Sequence, residues 1–133
     1  MGEHEAPPAG PWRIDYADGS GNRYALVADG GLTVAVSYDP VTPATSSTGT
    51  YSGGPPRDEV VARTDPRLAA LWSALHLACF EPSVARAKGT GAFTLTTTAG
   101  ERAHVMARGS ALAAIDALLA TFGRGSEQRE EPR

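Results

Sequence analysis

His76 and Cys79 stand three residues apart in a segment with helical periodicity. At that spacing both side chains lie on one face of a helix, where an imidazole beside a thiol can generate a nucleophile. Cys79, however, also continues an apolar stripe that includes Leu71, Trp72 and Leu75, and a free cysteine in such a stripe is usually a small core residue. The pattern therefore favours a structural Cys79, which a thiol reagent would label slowly in the native protein.

The other two histidines, His4 and His104, are far from this pair in the sequence. Metal sites use short gaps between ligands, and the three histidines do not show such gaps. His104 lies beside Val105 in a segment of alternating polarity, so we expect it to face solvent. Since Cys79 is the only cysteine, neither an intrachain disulfide nor a cysteine-based zinc site can form. No metal and no cofactor is expected.

A long polar loop, residues 39–56, is the most unusual feature of the chain. It consists mainly of Pro, Ser, Thr and Gly, with Tyr51 as its single aromatic residue. Loops of this length are uncommon in compact domains and are usually functional or disordered. Its backbone N–H groups and hydroxyls could hold an anion. The loop lacks the Gly-Lys-Ser/Thr ending and the following helix of a phosphate-binding loop.

The prolines of this loop restrict the unfolded chain and so lower the entropic cost of holding one shape. A loop stiffened in this way favours recognition of another protein. Together with the exposed sheet face, it is expected to form the binding surface of a non-catalytic or regulatory module. The candidate binding residues are Tyr38, Ser46, Ser47, Thr48, Gly49, Tyr51, Gly53 and Gly54.

A small enzyme with its site at the same loop is an alternative function. Ser46, Ser47 or Tyr51 would then act together with His104 or Asp39. The sequence gives no spacing that assigns a catalytic residue. Aspartates at turns and strand ends have a simpler role, because their short side chains bond to the local backbone. This interpretation applies to four residues: Asp15, Asp18, Asp29 and Asp39.

The composition is that of one ordinary globular domain. The 133 residues are 41% hydrophobic and carry a formal net charge of −3, with no basic cluster, so nucleic acid is not an expected partner. No apolar run reaches 18 residues, and the acidic, Pro-rich start does not resemble a signal peptide, so no membrane association and a cytoplasmic location are expected. Residues 1–10 and 124–133 are predicted to be disordered tails around a domain at 11–123.

Alternating polarity predicts strands over most of this domain. The predicted strands span residues 12–17, 23–28, 32–38, 93–98 and 103–107, and residues 58–63 form a further strand or an extended lead-in. Asp65 and Pro66 mark a helix start that runs to a stop at Glu81–Pro82. Ser110 is expected to cap a second helix that ends at Gly123. The predicted fold is α+β, in the order βββ(β)αββα, an antiparallel sheet of five to six strands with two helices on one face.

Two resemblances extend this interpretation. The loop sequence YDPVTP followed by SSTGTYSGG resembles a loop in small bacterial proteins of uncharacterised function, and it implies no activity. The order of elements over residues 32–122 is similar to that of emfourin-type inhibitors of thermolysin-like metalloproteases. The shared features are a helix ending at Phe80, the pair Phe93 and Leu95, a turn at Gly100 and a terminal helix. This resemblance implies a protease inhibitor as a second alternative, although the long loop departs from the pattern and no inhibitory residue carries over.

Overall fold

The computed structural model describes residues 7, 10–40, 56–87, 89–107 and 109–122. Within them, one six-stranded sheet and two helices form an α+β fold, as predicted. The strands in chain order are β1 (Trp12–Ala17), β2 (Arg23–Ala28), β3 (Thr33–Asp39), β4 (Arg57–Ala62), β5 (Gly91–Thr97) and β6 (Gly100–Met106). The helices are α1 (Pro66–Ala78), between β4 and β5, and α2 (Ser110–Leu119), after β6.

The sheet order is β4-β3-β2-β1-β5-β6, with every neighbouring pair antiparallel. The first three strands form a meander because tight turns connect β1 to β2 and β2 to β3. Gly21 and Gly30 sit in these turns at φ 93° and 101°, values that glycine adopts without steric cost. The sequence left open whether residues 58–63 form a strand or an extended lead-in; the structure has a full strand there, β4 at Arg57–Ala62, which pairs with β3.

Both helices pack against the same face of the sheet, here called the inner face. The alternation of β1 places Trp12, Ile14 and Tyr16 on this face, all at most 3% exposed. The indole ring of Trp12 contacts that of Trp72 on α1 edge-to-face, with centroids 5.3 Å apart. Ile115 on α2 is fully buried in the same core. The opposite face of the sheet, here called the outer face, carries neither helix.

The two helices begin differently. The Asp65 carboxylate caps α1 by accepting the Arg67 backbone N–H at 2.9 Å, and Pro66 opens the helix, as predicted. The prediction that Ser110 caps α2 is wrong. Ser110 is the first helical residue, and the N-cap is Gly109, which has no side chain to offer the helix. The predicted end at Gly123 lies outside the described residues.

Three side chains differ from the expected facing. His104 is buried on the inner face, 8% exposed, rather than facing solvent, because the register of β6 against β5 places it opposite Phe93. Its neighbour Val105 therefore points outward, where the sequence suggested inward. Leu32, which was predicted to begin the third strand, instead precedes β3 and is 85% exposed. Cys79 is half-buried against the core at the end of α1, in keeping with the predicted structural role.

Candidate functional site

Most of the predicted binding loop lies outside the described residues. This applies to seven of the eight candidate residues, Ser46, Ser47, Thr48, Gly49, Tyr51, Gly53 and Gly54. The eighth, Tyr38, is 8% exposed on the inner face of β3, two residues before the described chain breaks off after Pro40. The strand β4 begins at Arg57, so both anchors of the loop, Tyr38 and Arg57, are paired across two adjacent strands.

Tyr38 and Arg57 belong to a row of side chains that crosses the whole sheet at one register. In sheet order the row is Arg57, Tyr38, Tyr24, Tyr16, Phe93 and His104, one residue from each strand. The Arg57 guanidinium lies 4.4 Å from the centre of the Tyr38 ring, and the Tyr38 and Tyr24 rings are 4.7 Å apart. Cross-strand aromatic and cation–π contacts of this kind hold neighbouring strands in register. The row thus fixes the two strand ends from which the loop departs.

Tyr16, at the centre of the row, connects the sheet to α2. Its hydroxyl donates a hydrogen bond to Oδ1 of Asp116. Burial, reinforced by this hydrogen bond, raises the pKa of the Tyr16 phenol far above its ordinary value. Burial also raises the pKa of Asp116, while the hydrogen bond from Tyr16 opposes that rise. The phenol therefore stays protonated near neutral pH and serves as a donor that ties α2 to β1, rather than as a general base.

The predicted role of the turn aspartates is confirmed at two positions. Oδ1 of Asp18 accepts the backbone N–H groups of Ser20 and Asn22 at 2.9 and 3.0 Å. Oδ1 of Asp29 accepts the backbone N–H of Gly31 at 3.1 Å. These carboxylates organise the two hairpin turns, and through the turns they set the registers of β1, β2 and β3.

The pair of His76 and Cys79 does not form a nucleophilic site. Nδ1 of His76 lies 3.0 Å from the Trp72 carbonyl oxygen, so this nitrogen donates to the helix backbone. The His76 ring also lies beside the Trp72 indole, with centroids 5.7 Å apart. The imidazole is thus held by its own helix, and Cys79 packs against the core as part of the same turn.

The outer face contains a concavity of about 740 Å³ across the exposed side of β1, β2, β3 and β5. Its floor consists of small side chains at outward-facing positions: Ala17, Ala25, Ser37, Ala92 and Thr94. Short side chains leave the backbone of the sheet open to close approach. The curvature follows from the natural twist of an antiparallel sheet.

Charged side chains of both signs surround this floor. Nε of Arg13 donates to Oδ2 of Asp15 at 2.8 Å, and both side chains are about half exposed. Arg23, Asp39 and Glu101 complete the rim. Because exposed ion pairs contribute little to folding stability, the pair of Arg13 and Asp15 adds little to the stability of the fold.

Sequence reasoning predicted an exposed sheet face but missed the row of side chains on the opposite side of the sheet. The alternation within each strand shows which residues share a face, whereas the register between strands decides which of them meet. Asp116 was also missed, although a signal was present: a carboxylate stands directly after Ile115 within an apolar helical pattern. Such a residue on the flank of a buried stripe commonly pairs with a buried donor.

Among the ranges that the structure describes, no three His, Cys, Asp or Glu side chains gather as a metal site would require. Neither described helix combines the length and hydropathy needed to cross a bilayer. No protein-family model, curated protein or solved structure matches the chain. The resemblances to the bacterial loop and to emfourin-type inhibitors therefore stay predictions.

Proposed function

We propose that this protein is a non-catalytic protein-binding module that engages its partner through the outer face of the sheet and the adjoining loop 39–56. The observation that carries the proposal is the open concavity on that face, floored by small residues and surrounded by charges. Both helices lie on the opposite face, so a partner can approach without displacing any described element.

The chemistry of the concavity favours a protein as partner. A floor of Ala25, Ala92 and Thr94 allows backbone or side chains of another chain to come close to the sheet. The mixed charges of the rim can select a complementary surface and set its orientation. Asp39 belongs to this rim and is also the first residue of the loop, so the concavity and the loop are continuous.

The row from Arg57 to His104 supports this function from the inner side. Because this row packs rigid rings on the inner face of the strands, the outer face of the same strands is organised before binding. Preorganisation lowers the entropic cost of association. The contact of Arg57 with Tyr38 places this support directly at the two ends of the loop.

In the enzyme alternative, Ser46, Ser47 or Tyr51 would act with His104 or with Asp39, and the positions of these two residues exclude a site that uses both. Asp39 points outward at the end of β3, whereas His104 is buried on the inner face of β6. Four strand spacings separate these strands, about 19 Å at ~4.8 Å each. The two side chains cannot serve one site on the loop. Inhibition of a metalloprotease is one special case of the proposed binding, and a thermolysin activity assay with added protein tests it.

The experiment compares capture of partners from native lysate by the full chain and by three arginine variants. Ala25→Arg and Thr94→Arg fill the concavity, and Ala114→Arg places the same side chain on the exposed surface of α2. We expect the two concavity variants to lose a partner that the wild type and the Ala114→Arg variant retain, with thermal midpoints unchanged. Retention of every partner by the concavity variants would contradict the proposal.

The loop is tested separately. Tyr51→Ala removes the only aromatic side chain of the loop, and we expect it to weaken capture of the same partner with little change in thermal midpoint. If Tyr51→Ala has no effect while Thr94→Arg does, the sheet face alone binds. Early unfolding of the Tyr51→Ala variant would instead assign Tyr51 to the packing of the fold.

A further inference from the structure

The shape of the outer face is compatible with a second copy of itself. A twisted sheet is a saddle, concave along one diagonal and convex along the other. A two-fold rotation about an axis in the plane of the sheet reproduces the same saddle, so two copies nest with the concave diagonal of each over the convex diagonal of the other. Sheets packed face to face in this way keep their strand directions within about 30° of each other.

The size of the outer face is sufficient for a stable dimer. Six strands at ~4.8 Å spacing, with outward positions at ~6.8 Å intervals along each strand, give a face of about 600–800 Å². Two such faces bury about 1,200–1,600 Å², the standard size of a specific protein interface. The floor allows the close approach that this packing requires, because it holds the small residues Ala17, Ala25, Ser37, Ala92 and Thr94.

Two neighbouring rows of outward side chains carry opposite charges on β1. In sheet order, the aspartate row is Asp58, Ser37, Ala25, Asp15, Thr94 and Ala103. The arginine row is Val60, Ala35, Val27, Arg13, Thr96 and Glu101. A two-fold axis that crosses the strands between these rows lays the arginine row of one copy over the aspartate row of the other.

This axis places Arg13 opposite Asp15 of the second copy, twice by symmetry. Nε of Arg13 donates to Asp15 of its own strand at 2.8 Å, and the guanidinium has further N–H donors for a second carboxylate. Glu101 comes to lie opposite Ala103, and Asp58 opposite an apolar side chain, so no like charges meet within the two rows. A two-fold axis along β1 would instead set Arg13 on Arg13 and Asp15 on Asp15. The charges therefore select the axis that crosses the strands.

We propose that the partner of the outer face is a second copy of this chain, in a symmetric dimer whose two-fold axis passes between Arg13 and Asp15. This inference rests on the proposed function, since it names the partner of the same surface. It adds a defined orientation, because only one of the two in-plane axes pairs opposite charges.

Sedimentation equilibrium of the full chain over a range of concentrations tests the dimer. We expect a reversible monomer–dimer equilibrium that Ala25→Arg abolishes and that Ala114→Arg, on the exposed surface of α2, leaves unchanged. A wild type that stays monomeric would overturn the inference, and so would a dimer that Ala25→Arg leaves intact. The proposed function is decided separately: a different protein that the concavity variants fail to capture would uphold it beside a monomeric wild type.

Charge reversal tests the two-fold axis itself. Arg13→Glu leaves two acidic side chains at the contact, and Asp15→Arg leaves two basic ones, both at half-exposed positions that the fold does not depend on. Each variant alone should self-associate at least ~tenfold more weakly, because like charges across an interface repel. An equimolar mixture of the two should recover the association of the wild type, because each acidic pair then faces a basic pair. Undiminished association of either variant alone, or no recovery in the mixture, would overturn the proposed arrangement.

Discussion

The two faces of the sheet, although formed by the same strands, differ in the size and burial of their side chains. The inner face carries large side chains such as Trp12, Tyr16 and Leu26, buried under two helices. The outer face carries Ala25, Thr94 and a rim of charges, open to solvent. Residues adjacent in the sequence, such as Ala25 and Leu26, therefore lie on opposite faces, Leu26 in the core and Ala25 in the outer concavity. The buried core that stabilises the fold lies on the inner face, and the outer face is the surface for which we propose partner binding.

The largest expected loss of stability follows from a substitution in the core on the inner face. Leu75 is 1% exposed and Leu77 is 65% exposed, so one helix provides the same residue in both environments. Leu75→Ala should lower the free energy of unfolding by about 2–5 kcal/mol, since it removes contacts and leaves a cavity. Leu77→Ala should change it by less than about 0.5 kcal/mol. Urea unfolding measures both, and equal costs would mean that α1 does not present the face described.

A smaller effect is expected where α2 is tied to the sheet. Tyr16→Phe removes the donor to Asp116 and should cost about 1–3 kcal/mol in the free energy of unfolding, because the half-buried carboxyl loses its partner. Tyr24→Phe, one strand away, keeps this hydrogen bond and should cost less. If the two variants are equally stable in urea, the bond from Tyr16 does not support the inner face.

The helix starts provide the next comparison. Asp65→Ala removes the cap of α1 and should lower the free energy of unfolding by about 1 kcal/mol. Gly109→Asp adds the missing cap to α2 and should raise it by a similar ~1 kcal/mol relative to Gly109→Ala. Thermal or urea unfolding of the three variants checks both signs. A destabilising Gly109→Asp would show that the start of α2 is not open.

The smallest effect is a difference in pH dependence between two aspartates. Burial raises the pKa of Asp116 above its ordinary 3.8, so its contribution to stability is present below that value and is lost as pH rises through the native pKa. The hydrogen bond from Arg67 lowers the pKa of Asp65, so its contribution is present above 3.8 and is lost as pH falls through the native pKa.

Unfolding measured from acid to neutral pH separates these contributions. The advantage of the wild type over Asp116→Asn should shrink as pH rises, whereas its advantage over Asp65→Ala should grow. The same direction in both variants would contradict the assigned environments. Since both carboxyl groups are partly exposed, the expected differences are small compared with the cost of Leu75→Ala.

The sequence predicted the elements well because each carries a local signal. Trp12, Ile14 and Tyr16 alternate with polar residues, and Asp65 with Pro66 marks a helix start by its own chemistry. These signals depend on the backbone within a few residues. They were sufficient for the fold class and for the position of α1.

The candidate site was harder to predict from the sequence because it depends on contacts between segments that are far apart in the chain. Tyr16 and Asp116 are 100 residues apart in the chain, and only the packing of α2 brings them together. In β6 both faces carry apolar residues, Val105 on one and Met106 on the other, so alternation alone could not decide where His104 points. The pairing of His104 with Phe93 decided it. The loop 39–56 lies for the most part outside the described residues, and its role remains a prediction.

The most direct test of the partner surface is site-specific photo-cross-linking in cells. A benzophenone amino acid replaces Thr94 in the concavity of the outer face, and in a matched protein it replaces Ala114 on α2. We predict a discrete cross-linked species from position 94 that is absent at position 114 and is lost when Ala25→Arg is added. No cross-link at position 94, or the same species from both positions, would contradict the claim that the outer face binds a partner.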